Sequence, residues 1–157
     1  MLVRPIAPTD EDAYRTILEA TTAEDRYCRF FHMVDHFDSE EVHRCVEDRA
    51  DTIGVIAFEG AAPLGAAHAV LLDEESAELA IVVASGTRHV GVGTALLEAL
   101  IERVKARGLR RLVACALREN HPFEHLARRA GFRIDEAEGA AVHWVLPLTV
   151  DDEVAAS

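Results

Sequence analysis

Cysteine is scarce in this 157-residue chain: Cys28, Cys45 and Cys115 make an odd number, widely spaced, with no CxxC pair. That excludes a disulfide framework and a thiolate zinc cluster, and fits reduced thiols in a cytoplasmic protein. No apolar run approaches the roughly 18 residues of a membrane span, so no membrane partner is expected. The opening MLVRPIAPTDED shows no basic leader followed by an apolar block, so no secretory signal is visible. Positive charge is also short. Sixteen Lys and Arg stand against 28 Asp and Glu, for a formal net charge of −12. Nucleic-acid binding needs a cationic patch that displaces counterions, so no nucleic-acid partner is expected. A negative field suits solubility, or the steering of a cationic substrate such as an amine.

Half of the residues are hydrophobic, and the length suits one domain with a core of its own. No repeat or Pro/Ser-rich linker divides it. LVRPI is a short strand candidate, followed by a helix that Thr9 or Asp10 can cap, with Ala13, Ile17, Leu18 and Ala20 at helical spacing. SEEVHRCVED predicts a second helix from Ser39. The period then changes. DTIGVIAFEG, PLGAAHAVLLD and SAELAIVVA are β-rich runs broken by EGAAP and DEES, the pattern of an antiparallel meander. In Thr94–Arg107, Leu97, Leu100, Ile101 and Val104 recur every three or four residues, and Gly108 stops the helix. RRLVACAL reads as a buried strand, HPFEHLARRA as a Pro-started helix ended by Gly131, and GAAVHWVLPL as terminal strand. Residues 149–157 read as a loose tail. The expectation is a single α/β domain over residues 1–148, with a mixed sheet.

Two glycines one residue apart, in TRHVGVGTALLEAL, stand where the long helix begins. The third glycine of a dinucleotide-binding G-x-G-x-x-G is missing, and so is the Gly-Lys-Ser/Thr of a Walker loop. What remains is Arg88-x-x-Gly91-x-Gly93 between strand and helix. Backbone N–H groups at a helix start can converge on an anion, and glycine lets the backbone come close. On spacing alone, a plain turn and a phosphate cradle both fit.

R-x-x-G-x-G after LAIVV and before TALLEAL resembles the acetyl-CoA signature of the GNAT (GCN5-related N-acetyltransferase) superfamily. ENHPFEHLARRAGF is similar to that family's last motif, and the likeness runs over about residues 2–148. VRPIAPTDED, RYCRFF and AELAIVV further resemble the acetyltransferase domain of bacterial Pat-type protein lysine acetyltransferases. The resemblance implies the GNAT fold: a mostly antiparallel sheet of six to seven strands flanked by about four helices. It implies acetyl-CoA as cosubstrate, no metal, and acetyl transfer to an amine, either a protein lysine or a small molecule. A homodimer through C-terminal strands is a further implication.

By the same resemblance Glu78 is the catalytic base. A carboxylate inside an apolar strand costs free energy to bury, and burial would raise its pKa and suit it to accept a proton; the alternative is a solvent-facing strand-end residue. Backbone groups of Ile81 and Val83 would hold the pantetheine arm, Arg88, His89, Val90, Gly91, Val92, Gly93 and Thr94 the pyrophosphate, and Asn120 and Phe123 the far side of the arm. For Phe123, core packing is the competing role. Many members carry a Tyr as general acid four residues before the Gly-Phe pair; here that position is Ala127. A non-catalytic acyl-CoA-binding module is the reading this gap favours. His32/His36 and His121/His125 have helical chelate spacing but no completing ligands. His68 fits either a satisfied core position or the acceptor side of a cleft, and FFHMVDHF either a helix junction or an acceptor wall.

Overall fold

A computed structural model describes residues 1–21, 43, 46, 47, 50–84 and 91–148. Strand β1 (Leu2–Pro5) leads through a short 3-10 turn (Pro8–Asp10) into helix α1 (Glu11–Glu19). Strands β2 (Thr52–Glu59), β3 (Ala62–Leu71) and β4 (Ser76–Val83) form the expected meander. Helix α2 (Val92–Ala106) connects to β5 (Arg111–Leu117), and α3 (His121–Ala130) to β6 (Arg133–Glu138) and β7 (Ala141–Pro147). The expected Ser39 helix lies outside the described residues except at His43 and Val46, both helical. FFHMVDHF, Cys28, Cys45, His32, His36 and the tail 149–157 also lie outside them.

The seven strands are ordered β1-β2-β3-β4-β5-β7-β6. Every neighbouring pair is antiparallel except β4 and β5, which run parallel. A parallel neighbour needs a crossover connection, and α2 supplies it. Its apolar stripe explains how. Leu96, Leu97, Leu100 and Val104 are fully buried against Val55, Ala67, Ala69, Ala77, Leu79 and Leu112. Each large aliphatic buried in this way contributes roughly 1.5–3 kcal/mol. The alanines of β3 and β4 let the helix lie close. A Cβ at Gly65 would stand 2.8 Å from the Val82 carbonyl and 3.0 Å from Leu96 Cδ1, so this position admits no side chain.

Helix α1 covers the opposite face. Tyr14, Ile17 and Leu18 pack with Ile56, Ala66 and Val82. His68 belongs to this layer: it is buried, and its ring meets Tyr14 edge-on at 5.2 Å. It is a core histidine, away from the cleft described below. Asp10 stands at the helix start as expected, but its carboxylate makes no capping bond to α1. It turns back to Arg4 and to the Ala7 N–H instead.

Candidate active site

β4 and β5 pair over three residues only, Ser76, Ala77 and Glu78 against Arg111, Leu112 and Val113. Beyond that point they part, while β4 stays bonded to β3 as far as Val83. Parity along β4 follows from one bond. The Ala84 N–H donates to the Leu64 carbonyl, so even-numbered residues turn their backbone groups toward β3. Ile81 and Val83 therefore turn theirs toward β5, into the gap. A strand edge left open inside a sheet is a ready template for an extended ligand with amide groups.

The gap widens into a cleft of about 510 Å³. Residues of both sheet faces line it: Leu79, Ile81 and Ala116 from the α2 side, Ala80, Val82 and Cys115 from the α1 side. It thus runs through the sheet. Gly91, Gly93, Thr94 and Asn120 line the wide end. Gly91 is the N-cap of α2 and has φ of 89°, a left-handed conformation that disfavours a side chain. The space where its Cβ would project is open for 4 Å. The first N–H groups of a 15-residue helix thus face the cleft beside bare backbone, which is the physical requirement for holding a phosphate. Val92 differs from its neighbours: its side chain is buried in the core, so only its backbone is available. Arg88, His89 and Val90 lie outside the described residues.

On the other wall, Asn120 Oδ1 accepts from the Phe123 N–H at 3.2 Å and caps α3. Phe123 packs on the core and also lines the cleft. His125, weighed from the sequence only as half of a chelate-spaced pair, and Arg129, one helical turn on and not singled out there, line it too. Their signal was present as a polar i, i+4 pair, but nothing local says which face of α3 meets a cleft. Ala127 is fully buried in the core.

Glu78 sits where the strands part. It is opposite Val70 on β3 and Val113 on β5, on the α1 face, and it is exposed. The expectation that burial prepares it for proton transfer is therefore corrected. Strand-end placement next to the 73–76 turn leaves it in water. Cys115 is two residues past Val113 and half-buried. Burial, and secondarily the charge of Glu78, push the Cys115 thiol up from its ordinary value. Its Sγ lies 4.0 Å from His143 Nε2 on β7. Among the described residues, no group of three His, Cys, Asp or Glu forms a metal site; His121 instead pairs with Glu124.

A model of the Acetyltransferase (GNAT) family matches residues 14–132, about three quarters of the chain. The chain belongs to the GNAT acetyltransferase family. Its fold is similar to the GNAT domain of S. lividans PAT, with a TM-score of 0.84 and 26% identity over 92% of this chain and 89% of that one. It is also similar to the PaiA N-acetyltransferase of Thermoplasma acidophilum in complex with coenzyme A (TM-score 0.76, 14% identity, 93% and 98% covered). An aminoglycoside 6'-N-acetyltransferase complexed with coenzyme A gives 0.72 and 18%, covering 94% and 97%. The GNAT acetyltransferase therefore has acetyl-CoA as its cosubstrate, and the open β4 edge and the glycine turn at α2 fit that molecule.

Proposed function

We propose that this GNAT enzyme transfers the acetyl group of acetyl-CoA directly to the primary amine of a protein lysine, with Glu78 as general base. The observation that carries the reading is the cleft that opens where β4 and β5 part, directly after the Glu78–Val113 pair, with Leu79 as its first lining residue on β4. In this reading the pyrophosphate is held at the wide end by Gly91–Thr94, with Arg88, His89 and Val90 completing the loop. The Ile81 and Val83 backbone groups bond the pantetheine arm, and Asn120 and Phe123 bound it from β5 and α3. That leaves the thioester near the parting point, and the amine arrives from the α1 face, where Glu78 is exposed.

A lysine is neutral to only about one part in a thousand at pH 7, so removing its proton is a substantial part of the work. An exposed carboxylate can take that proton through water. The net charge of −12 favours a cationic acceptor's approach. The half-buried free thiol of Cys115 suits a reducing cytoplasm. The protein-lysine acceptor is supported by the likeness to the PAT domain. A small-amine acceptor is the second reading, supported by the likeness to the aminoglycoside acetyltransferase. A non-catalytic acyl-CoA module is the third, supported by the buried Ala127 where many relatives carry an acid.

The test is release of coenzyme A thiol from acetyl-CoA with protein-lysine and small-amine acceptors, for wild type and Glu78→Gln. Turnover that falls at least ~100-fold in Glu78→Gln, the scale of a general base, is the expected result. The acceptor that works names the substrate class. Binding of acetyl-CoA without turnover on any acceptor would favour the third reading.

A further inference from the structure

Acetyl transfer has a proton problem at each end. The amine enters as an ammonium, a new N–C bond forms, and the C–S bond breaks with its electron pair left on sulfur. Two protons leave nitrogen; one has to reach the thiolate and the other is lost to solvent. Helix α3 carries no side-chain acid at Ala127, which is fully buried.

We propose that Cys115 donates the proton to the departing sulfur of coenzyme A and is recharged from Glu78, so that the two residues form a relay across the strands' parting point. The proposal rests on Glu78 being the base. Three observations carry it. Cys115 lines the cleft, on the same sheet face as Glu78. It stands just past the last β4–β5 pair, at the end of the cleft away from the glycine turn, which is where an arm anchored at Gly91 would end. Its Sγ lies 4.0 Å from Nε2 of the exposed His143.

The charge of Glu78 adds a timing device. Burial is the larger cause that keeps the Cys115 thiol protonated through substrate binding, and the anion of Glu78 adds to it. Once Glu78 has taken the amine's proton, its share of that opposition is gone, and the thiol becomes more acidic as the leaving sulfur needs its proton. Cys115 then recovers a proton from the Glu78 carboxylic acid, directly or through one water, and both residues return to their starting state. Among the described residues, the other titratable groups near this point are His143 on β7, Glu136 opposite it on β6, and His125 and Arg129 from α3.

Two measurements on the full chain test the relay. The first is the pH dependence of iodoacetamide alkylation at Cys115, resolved from Cys28 and Cys45 by peptide mass spectrometry, in wild type and Glu78→Gln. The midpoint moves to lower pH in Glu78→Gln; an unchanged midpoint overturns the coupling whether or not the enzyme is active. The second compares kcat and acetyl-CoA Kd for wild type, Cys115→Ala and Cys115→Ser. In Cys115→Ala kcat falls at least roughly tenfold, below the usual range for an acid because a thiolate leaves readily. Kd stays as in wild type, the fall of kcat at alkaline pH disappears, and Cys115→Ser lies between. An undiminished kcat in Cys115→Ala, or a Kd that rises in step with the kcat loss, overturns the relay. Absence of transfer by wild type on every acceptor would overturn the catalytic reading as well, which an active wild type with an active Cys115→Ala would leave standing.

Discussion

Arg4 grips Asp10 with two parallel hydrogen bonds, Nη1 to Oδ2 at 2.8 Å and Nη2 to Oδ1 at 2.7 Å. The Ala7 N–H adds a third at 2.7 Å, so β1, the 3-10 turn and the start of α1 are tied by one carboxylate. The Arg4 hydrogen bonds, with help from Ala7 and the guanidinium charge, hold Asp10 below the usual carboxylate range against the opposing effect of burial. A lowered folded value stabilises above the unfolded value of about 3.9 and is lost as pH falls through the folded one. Asp10→Asn is therefore expected to cost about 1–3 kcal/mol at pH 7 in urea unfolding, and the gap from wild type narrows below about pH 3.9.

His43 titrates in the opposite sense. Its Nδ1 lies 2.8 Å from Glu11 and its Nε2 3.0 Å from Glu47, and both ring nitrogens donate only in the imidazolium. The bond to Glu11 leads in raising its pKa. A raised value stabilises fully below the unfolded value of about 6.5 and the gain is lost as pH rises through the folded one. An NMR titration of the ring is expected to show a midpoint above about 6.5, which returns toward the ordinary value in Glu11→Gln.

Gly91 and Gly60 give a matched pair. Both have positive φ, 89° and 59°, and neither Cβ would meet an atom within 4 Å. Alanine at either costs about 1–2 kcal/mol of backbone strain. Gly60 turns the β2–β3 hairpin, whereas Gly91 lines the cleft. Isothermal titration is expected to show weaker acetyl-CoA binding in Gly91→Ala and wild-type binding in Gly60→Ala. Equal affinity in both variants would remove the glycine turn from the cofactor site.

Asn120 separates capping from binding. Asn120→Ala loses the bond to the Phe123 N–H and is expected to cost about 0.5–2 kcal/mol in thermal or urea unfolding. Asn120→Asp keeps an acceptor and regains that stability. Its added negative charge in the cleft lining faces an anionic cosubstrate, so KM for acetyl-CoA stays high in Asn120→Asp.

The element order was legible because each piece is written locally. The stripe Leu97, Leu100, Val104 names α2, and the breaks at EGAAP and DEES mark the meander turns. Asp73 makes the second turn by accepting from the Glu75 and Ser76 N–H groups, both at 2.8 Å. β6 was not legible as an element of its own. It is exposed along all six residues of RIDEAE, and a strand without a buried face leaves no alternation to read. Asp10 was read correctly as a helix boundary but not as a clasp, since its partner Arg4 lies in a different element. Glu78 was located by its place in a motif, while the burial invoked for it depended on how far β4 stays paired with β5.

By itself, then, the chain's order of residues determined helices α1 to α3, every strand but β6, the glycine turn at Gly91 and the family. These depend on periodicity, turn residues and short motifs, all of which act within a few residues. Tertiary structure alone decided that β4 and β5 separate after Glu78 and Val113, that the cleft passes through the sheet, and that Cys115 stands on the face of Glu78, two residues past its partner Val113. The reason is that hydrophobic period reports how deeply a strand is buried, not which strand it pairs with or where that pairing stops. Where it stops depends on elements far apart in the chain, and that stopping point is what opens the site.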